Sequence, residues 1–182
     1  MPKIFLDTEF TGLTQHTTLI SIALVSETGE EFYGECTDYN REMISPWHQE
    51  HVLAKLWHAD KFAENGNPTG KFVIGTRPEV AAELRKWIEQ MPGVVEIWAD
   101  VLAWDWVLFC ELFGGAFSIP ENIFYAPFDL ATLFRMKGLI EPNSKYEQDL
   151  KRFEFVGLAN ECQHSALMDA RVELACYQTL NT

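Results

Sequence analysis

Residues 1–182 predict a single α/β domain built on a central mixed five-stranded sheet, three antiparallel strands followed by two parallel ones, flanked by helices. The first forty residues hold three apolar runs joined by short turns, the pattern of an antiparallel meander. After Pro92-Gly93, strand-like and helix-like runs alternate, which implies crossovers and parallel pairing. With 182 residues and 47% hydrophobic side chains, the chain can bury a substantial core in one unit.

Residues 3–7 make the first strand around Ile4-Phe5-Leu6. Residues 19–26 make the second, with alternating Ile20, Ile22 and Leu24, and 31–37 the third, after the Thr28-Gly29 turn. A helix is expected from Pro46 to about residue 56. The stretch 57–75 then reads as a long loop around Asn65-Gly66-Asn67-Pro68-Thr69-Gly70, and loops of that length are often functional. Thr76 and Pro78 mark the start of a helix whose apolar stripe is Val80, Leu84, Trp87 and Ile88. An apolar strand at 94–99 leads to a helix at 102–113 that Gly114-Gly115 ends. A short strand at 122–125 and a helix at 130–137 capped by Asp129 follow. The last helix, from about 165 to 180, turns Leu167, Ala170, Leu174 and Tyr177 inward.

Thirteen Phe and six Trp exclude global disorder. No run approaches the roughly 18 apolar residues of a bilayer span, and the start of the chain lacks a secretory leader pattern. A soluble, cytoplasmic protein without a membrane partner is expected. Cys36, Cys110, Cys162 and Cys176 show no metal-type spacing and read as reduced structural thiols. The net charge of −13 argues against nucleic-acid binding by broad charge neutralisation and leaves room only for a small contact bridged by cations.

Asp7 and Glu9 are the first candidates for chemistry. A strand sends residues i and i+2 to one face, so two like charges sit side by side next to a core. They repel and resist desolvation unless a cation joins them. The apolar helix at 102–113 carries two charges, Asp105 and Glu111; one of them is either turned to water or given a cation, and Asp100 is a rival position. His164 precedes Asp169 by five residues. Within one helix that spacing is about 140°, so a shared site requires His164 to lie before the helix and Asp169 one turn in. His48-Gln49-Glu50-His51 lacks the His-Glu-x-x-His spacing and is expected to be a solvated helix face.

Asp7-x-Glu9, an internal Asp105 and His164-x4-Asp169, taken jointly, resemble the three motifs of the DEDDh 3′-to-5′ exonucleases of the ribonuclease H-like superfamily. The segment Asp7-Thr8-Glu9-Phe10-Thr11-Gly12-Leu13 is similar to the first motif of oligoribonuclease and ribonuclease T types. Segments 98–113 and 164–176 are most similar to small bacterial 3′-5′ exoribonucleases of about this length. The resemblance implies that Asp7, Glu9, Asp105 and Asp169 hold two Mg²⁺ or Mn²⁺ ions and that His164 is the general base. The all-oxygen ligand set agrees with such ions. Hydrolysis would release nucleoside 5′-monophosphates from single-stranded 3′ ends, with RNA favoured.

By the same similarity Phe10, Thr11 and Leu13 would contact the terminal nucleotide, although Phe10 and Leu13 could instead pack under the loop between the first two strands. Trp104 and Trp106 would stack bases or fill the core or a subunit interface, with packing favoured for at least one. Many relatives are dimers, which the aromatic content permits here. Two other classes stay open on this evidence: a DNA-directed exonuclease on the same scaffold, and a non-catalytic module that binds a nucleic-acid end or a protein. The complete acid set argues against the second.

Overall fold

The computed structural model describes residues 1–57, 70–140, 151–158 and 163–181. Strands β1 (Lys3–Phe10), β2 (Leu19–Ser26) and β3 (Glu31–Cys36) form the expected meander. A 3₁₀ turn (Arg41–Met43), helix α1 (Pro46–His51) and a second 3₁₀ turn (Leu53–Lys55) lead away from it. Strand β4 (Lys71–Gly75), helix α2 (Arg77–Glu89), β5 (Glu96–Ala99) and α3 (Ala103–Leu112) follow. The described remainder consists of β6 (Phe128–Asp129), α4 (Leu130–Met136), α5 (Arg152–Phe155) and α6 (Ala166–Leu180).

The sheet has six strands in the order β4-β3-β2-β1-β5-β6. β1 lies at its centre, antiparallel to β2 and parallel to β5. Its odd and even residues serve different layers, as the period of two requires. Ile4 and Leu6 join Leu84 and Ile88 of α2 and Phe109 of α3 in the larger core. On the opposite face Phe5 meets Tyr177 of α6 at 5.3 Å between ring centres, and Ala23 and Val25 pack on Ala166, Leu167 and Ala170. Asp7 and Glu9 share the parity of Phe5 and therefore face α6, whereas Thr8 faces α3.

Several boundaries differ from the sequence expectation. The sheet has six strands, not five, because residues 71–75 of the presumed long loop pair in parallel with β3. This edge strand is short and only partly buried, so its apolar pattern is weak beside the turn residues that precede it. Residues 58–69 of that stretch lie outside the described residues. The expected strand at 122–125 is a single bridge, Val95 to Ile123, and the paired strand is β6. The expected helix from Pro46 to about 56 breaks after His51. β1 runs on to Phe10, with a bulge between Glu9 and Phe10, so both acids lie within the strand. Every residue of β2 is buried, since helices cover both faces. Asp129 caps α4 as expected, accepting the Thr132 N–H at 2.8 Å. Among the described residues no helix is long and apolar enough to cross a membrane. Cys36, Cys110 and Cys176 are buried free thiols, and Cys162 lies outside the described residues.

Candidate active site

The C-terminal half of β1, the start of α3 and the first turns of α6 converge on a cleft of about 820 Å³. Asp7 and Glu9 enter it from β1. Asp169 enters from the first turn of α6, its Oδ2 accepting the Ser165 N–H at 3.0 Å. One carboxylate oxygen from each of these three residues falls within 4.8 Å of the other two. Among the described residues this is the one cluster of carboxylate, imidazole or thiol groups so arranged.

Asp105 lines the same cleft but stands outside that closest triad. It is buried, and its Oδ1 accepts both the N–H and the hydroxyl of Thr8, at 3.0 and 2.6 Å. This clasp ties α3 to the central strand from the face opposite Asp7 and Glu9. Asp100, the rival position, lies on the cleft wall in a two-pronged pair with Arg152 at 2.7 and 3.0 Å. Glu111 is exposed, away from the cleft.

The acids resist ionising together. Burial, followed by the charges of Asp169, Asp105, Glu9 and Glu173, pushes Asp7 well above the carboxylate range. Burial and Asp169 push Glu9 up to about 8, against the pull of Lys55. Burial raises Asp169 to about 7 and Asp105 to about 6, while backbone donors oppose the rise at the first and Thr8 opposes it at the second. A set of carboxylates that cannot all shed their protons in the bare protein fits a divalent cation, whose charge would permit it. Oxygen-only ligands suit a hard ion such as Mg²⁺ or Mn²⁺.

His164 sits just before the Ser165 N-cap of α6, as its spacing to Asp169 requires, with an unusual positive φ of 67°. Its imidazole is half-buried and meets the Trp47 indole edge-on at 4.9 Å. Trp47 is stacked on His51 at 5.1 Å. Burial, with Lys55 and His51 nearby, lowers the His164 pKa, so the ring is neutral at pH 7.

Residues 48–51 are accordingly not a plain solvated face. Ser45 is the N-cap of α1 and His48 completes the capping box, its Nδ1 2.7 Å from Ser45 Oγ, while Trp47 of the same helix packs against His164. Sequence reasoning missed Trp47, Thr8 and Glu173; only Glu173 left a sequence signal, lying one helical turn after Asp169.

Phe10 and Leu13 line the cleft, and Leu13 is 71% exposed. Thr11 does not. It is buried, and its hydroxyl accepts the Thr18 N–H at 2.9 Å, closing the β1–β2 loop. Trp104 packs 6.3 Å from Phe10, while Trp106 stacks on Phe109 against the core.

Comparison with known proteins places the chain in a family. Residues 2–180 match the family described as the Rv2179c-like 3′-5′ exoribonuclease domain. The chain is 26% identical to the 3′-5′ exoribonuclease Rv2179c of Mycobacterium tuberculosis strain H37Rv, over 99% of its own length and 94% of the relative's. The 3′-5′ exoribonuclease MT2234.1 of M. tuberculosis strain CDC 1551 matches to the same extent. Among solved structures, the nuclease domain of 3′hExo, a DEDDh family member bound to rAMP, superposes with a TM-score of 0.58 at 15% identity, covering 98% of this chain and 92% of that one. Escherichia coli ExoI, from its complex with single-stranded DNA, gives 0.56 at 12% identity, over 96% of this chain and 38% of that one. The chain thus belongs to the Rv2179c-like 3′-5′ exoribonuclease domain family and is a 3′-5′ exonuclease of the DEDDh type.

Proposed function

We propose that the chain, as one exonuclease domain over residues 1–182, hydrolyses single-stranded RNA from the 3′ end and releases nucleoside 5′-monophosphates. The observation that carries this reading is the approach of Asp7, Glu9 and Asp169 to within 4.8 Å, with Asp105 and His164 on the walls of the same cleft. Asp7, Glu9, Asp105 and Asp169 would hold two Mg²⁺ or Mn²⁺ ions. Such ions, when bound, supply the positive charge that polarises an attacking water and steadies a leaving 3′ oxygen.

The chain's own residues do the rest. His164, neutral at pH 7, accepts the proton of the attacking water. Trp47, packed on its edge, limits how far the imidazole swings. Phe10 and Leu13 give an apolar wall against which a terminal base rests. Thr8 holds Asp105 in register with β1. A cleft of about 820 Å³ takes one or two nucleotides, which reconciles the acidic chain with an anionic substrate. Binding of long strands is therefore weak, with a shallow salt dependence. Tight, salt-steep retention of duplex on filters would contradict it.

The family description and the M. tuberculosis relatives favour RNA. Matched RNA and DNA oligonucleotides of several lengths decide between RNA and a DNA-directed activity, because only contacts to the ribose 2′ position separate them. The central test is release of 5′-monophosphates with Mg²⁺ or Mn²⁺, lost in Asp7→Ala; undiminished hydrolysis in that variant would refute the assignment. A homodimer is part of the same reading, tested by sedimentation.

A further inference from the structure

Glu173 has no part in the chemistry described so far. It lies one turn after Asp169 on α6, so the two carboxylates leave the helix on the same side. It is 4% exposed and lines the cleft together with Asp7, Asp105 and Asp169. Its Oε1 accepts the Asp100 N–H at 2.8 Å. Its Oε2 is equally buried and meets no donor in the protein.

A buried carboxylate oxygen without a donor is costly, and its charged neighbours here are other carboxylates, which accept and do not donate when ionised. Orientation is not free to relieve it. The Asp100 N–H fixes one oxygen, and Asp100 is itself held by the two-pronged Arg152 pair. The second oxygen is thereby left facing the acid cluster. Once the acids ionise around a bound cation, the surrounding carboxylates offer Oε2 no donor, and one carried in with the cation fills the place.

We infer that Glu173 Oε2 accepts a hydrogen bond from a water carried by the divalent ion that Asp7, Glu9 and Asp169 hold. Glu173 is then a positioning residue, touching the ion's water and not the ion. The inference rests on the reading of the cleft as a divalent-cation site.

Titration with Mn²⁺ followed by electron paramagnetic resonance tests the two levels separately. Asp7→Ala should abolish the bound-Mn²⁺ signal. If the signal persists, the ion site itself is refuted and this inference falls with it. Glu173→Gln keeps an oxygen for the Asp100 N–H but puts an NH₂ group where Oε2 stood. It should melt close to wild type and bind Mn²⁺ about tenfold more weakly. Wild-type Mn²⁺ affinity in folded Glu173→Gln, with Asp7→Ala still inactive in binding, overturns the inference and leaves the ion site standing. Glu173→Asp, which withdraws the carboxylate by one methylene, is the second arm. It should also weaken Mn²⁺ binding, and unchanged affinity there counts equally against the inference.

Discussion

Replacing Thr8 by Val tests the clasp that fastens Asp105 to the central strand. The substitution keeps the branched shape and the backbone N–H at 3.0 Å, and removes only the hydroxyl that donates to Asp105 Oδ1 at 2.6 Å. Both residues are buried, so water does not replace the donor. A hydrogen bond to a charged group contributes about 1.5–3 kcal/mol. For a chain of this size each kcal/mol moves the melting temperature by about 2–4 °C, which gives a loss of about 3–12 °C.

The loss depends on pH because the Asp105 pKa lies at about 6. The hydrogen bond favours the ionised carboxylate, so its contribution is present above that pKa and fades as pH falls through it. Melts in EDTA at pH 7.5 should show the full decrement, and melts at pH 5 less than half of it. In an Asp105→Ala background the decrement should vanish. An equal loss at both pH values, or one that persists without Asp105, would refute the reasoning.

The raised pKa values also set the behaviour of the metal-free protein. Unfolded carboxylates lose their protons near pH 4, whereas Asp105, Asp169 and Glu9 retain theirs until about 6, 7 and 8. The folded chain binds more protons in between, so these groups make it less stable as pH rises from 5 to 8, and Mn²⁺ should raise the melting temperature more at pH 8 than at pH 5.5. A melting temperature that climbs over this range in EDTA would contradict the assignment. Gly34→Ala would set a Cβ 2.6 Å from Val80 Cγ1, and overpacking of that kind should lower stability by about 1–3 kcal/mol in urea titrations. Arg152→Met strips Asp100 of its cation; because the pair is partly solvated, about 2 kcal/mol is expected, short of the 3–5 of a fully buried pair. Equal denaturation midpoints for wild type and this variant would show that the pair contributes nothing.

Much of the site was legible because it follows from periodicity. The period of two put Asp7 and Glu9 on one face, and the 140° between His164 and Asp169 forced the histidine ahead of the helix. What escaped depends on contacts across the chain. Nothing in the local sequence says that Thr8, between the two acids, reaches a helix 97 residues away. Glu173 stands one helical turn after Asp169, a spacing many helix glutamates share, and its burial is what singles it out. The first motif marks Thr11 as a substrate contact by similarity, yet its hydroxyl closes a turn. In the fold, the edge strand at 71–75 was hidden because a strand with one partner and partial exposure shows little alternation. The break after His51 was likewise invisible, since the residues on either side of it suit a helix.

The acid cluster draws on β1 at one end of the sequence and α6 at the other. Asp169 lies far along the chain from Asp7 and Glu9, so synthesis must run past it, and α6 must dock on the sheet, before the cage exists. Until then the emerging polypeptide carries two acids without their partner. The order of synthesis thus ties the assembly of the acid cluster to the completion of α6.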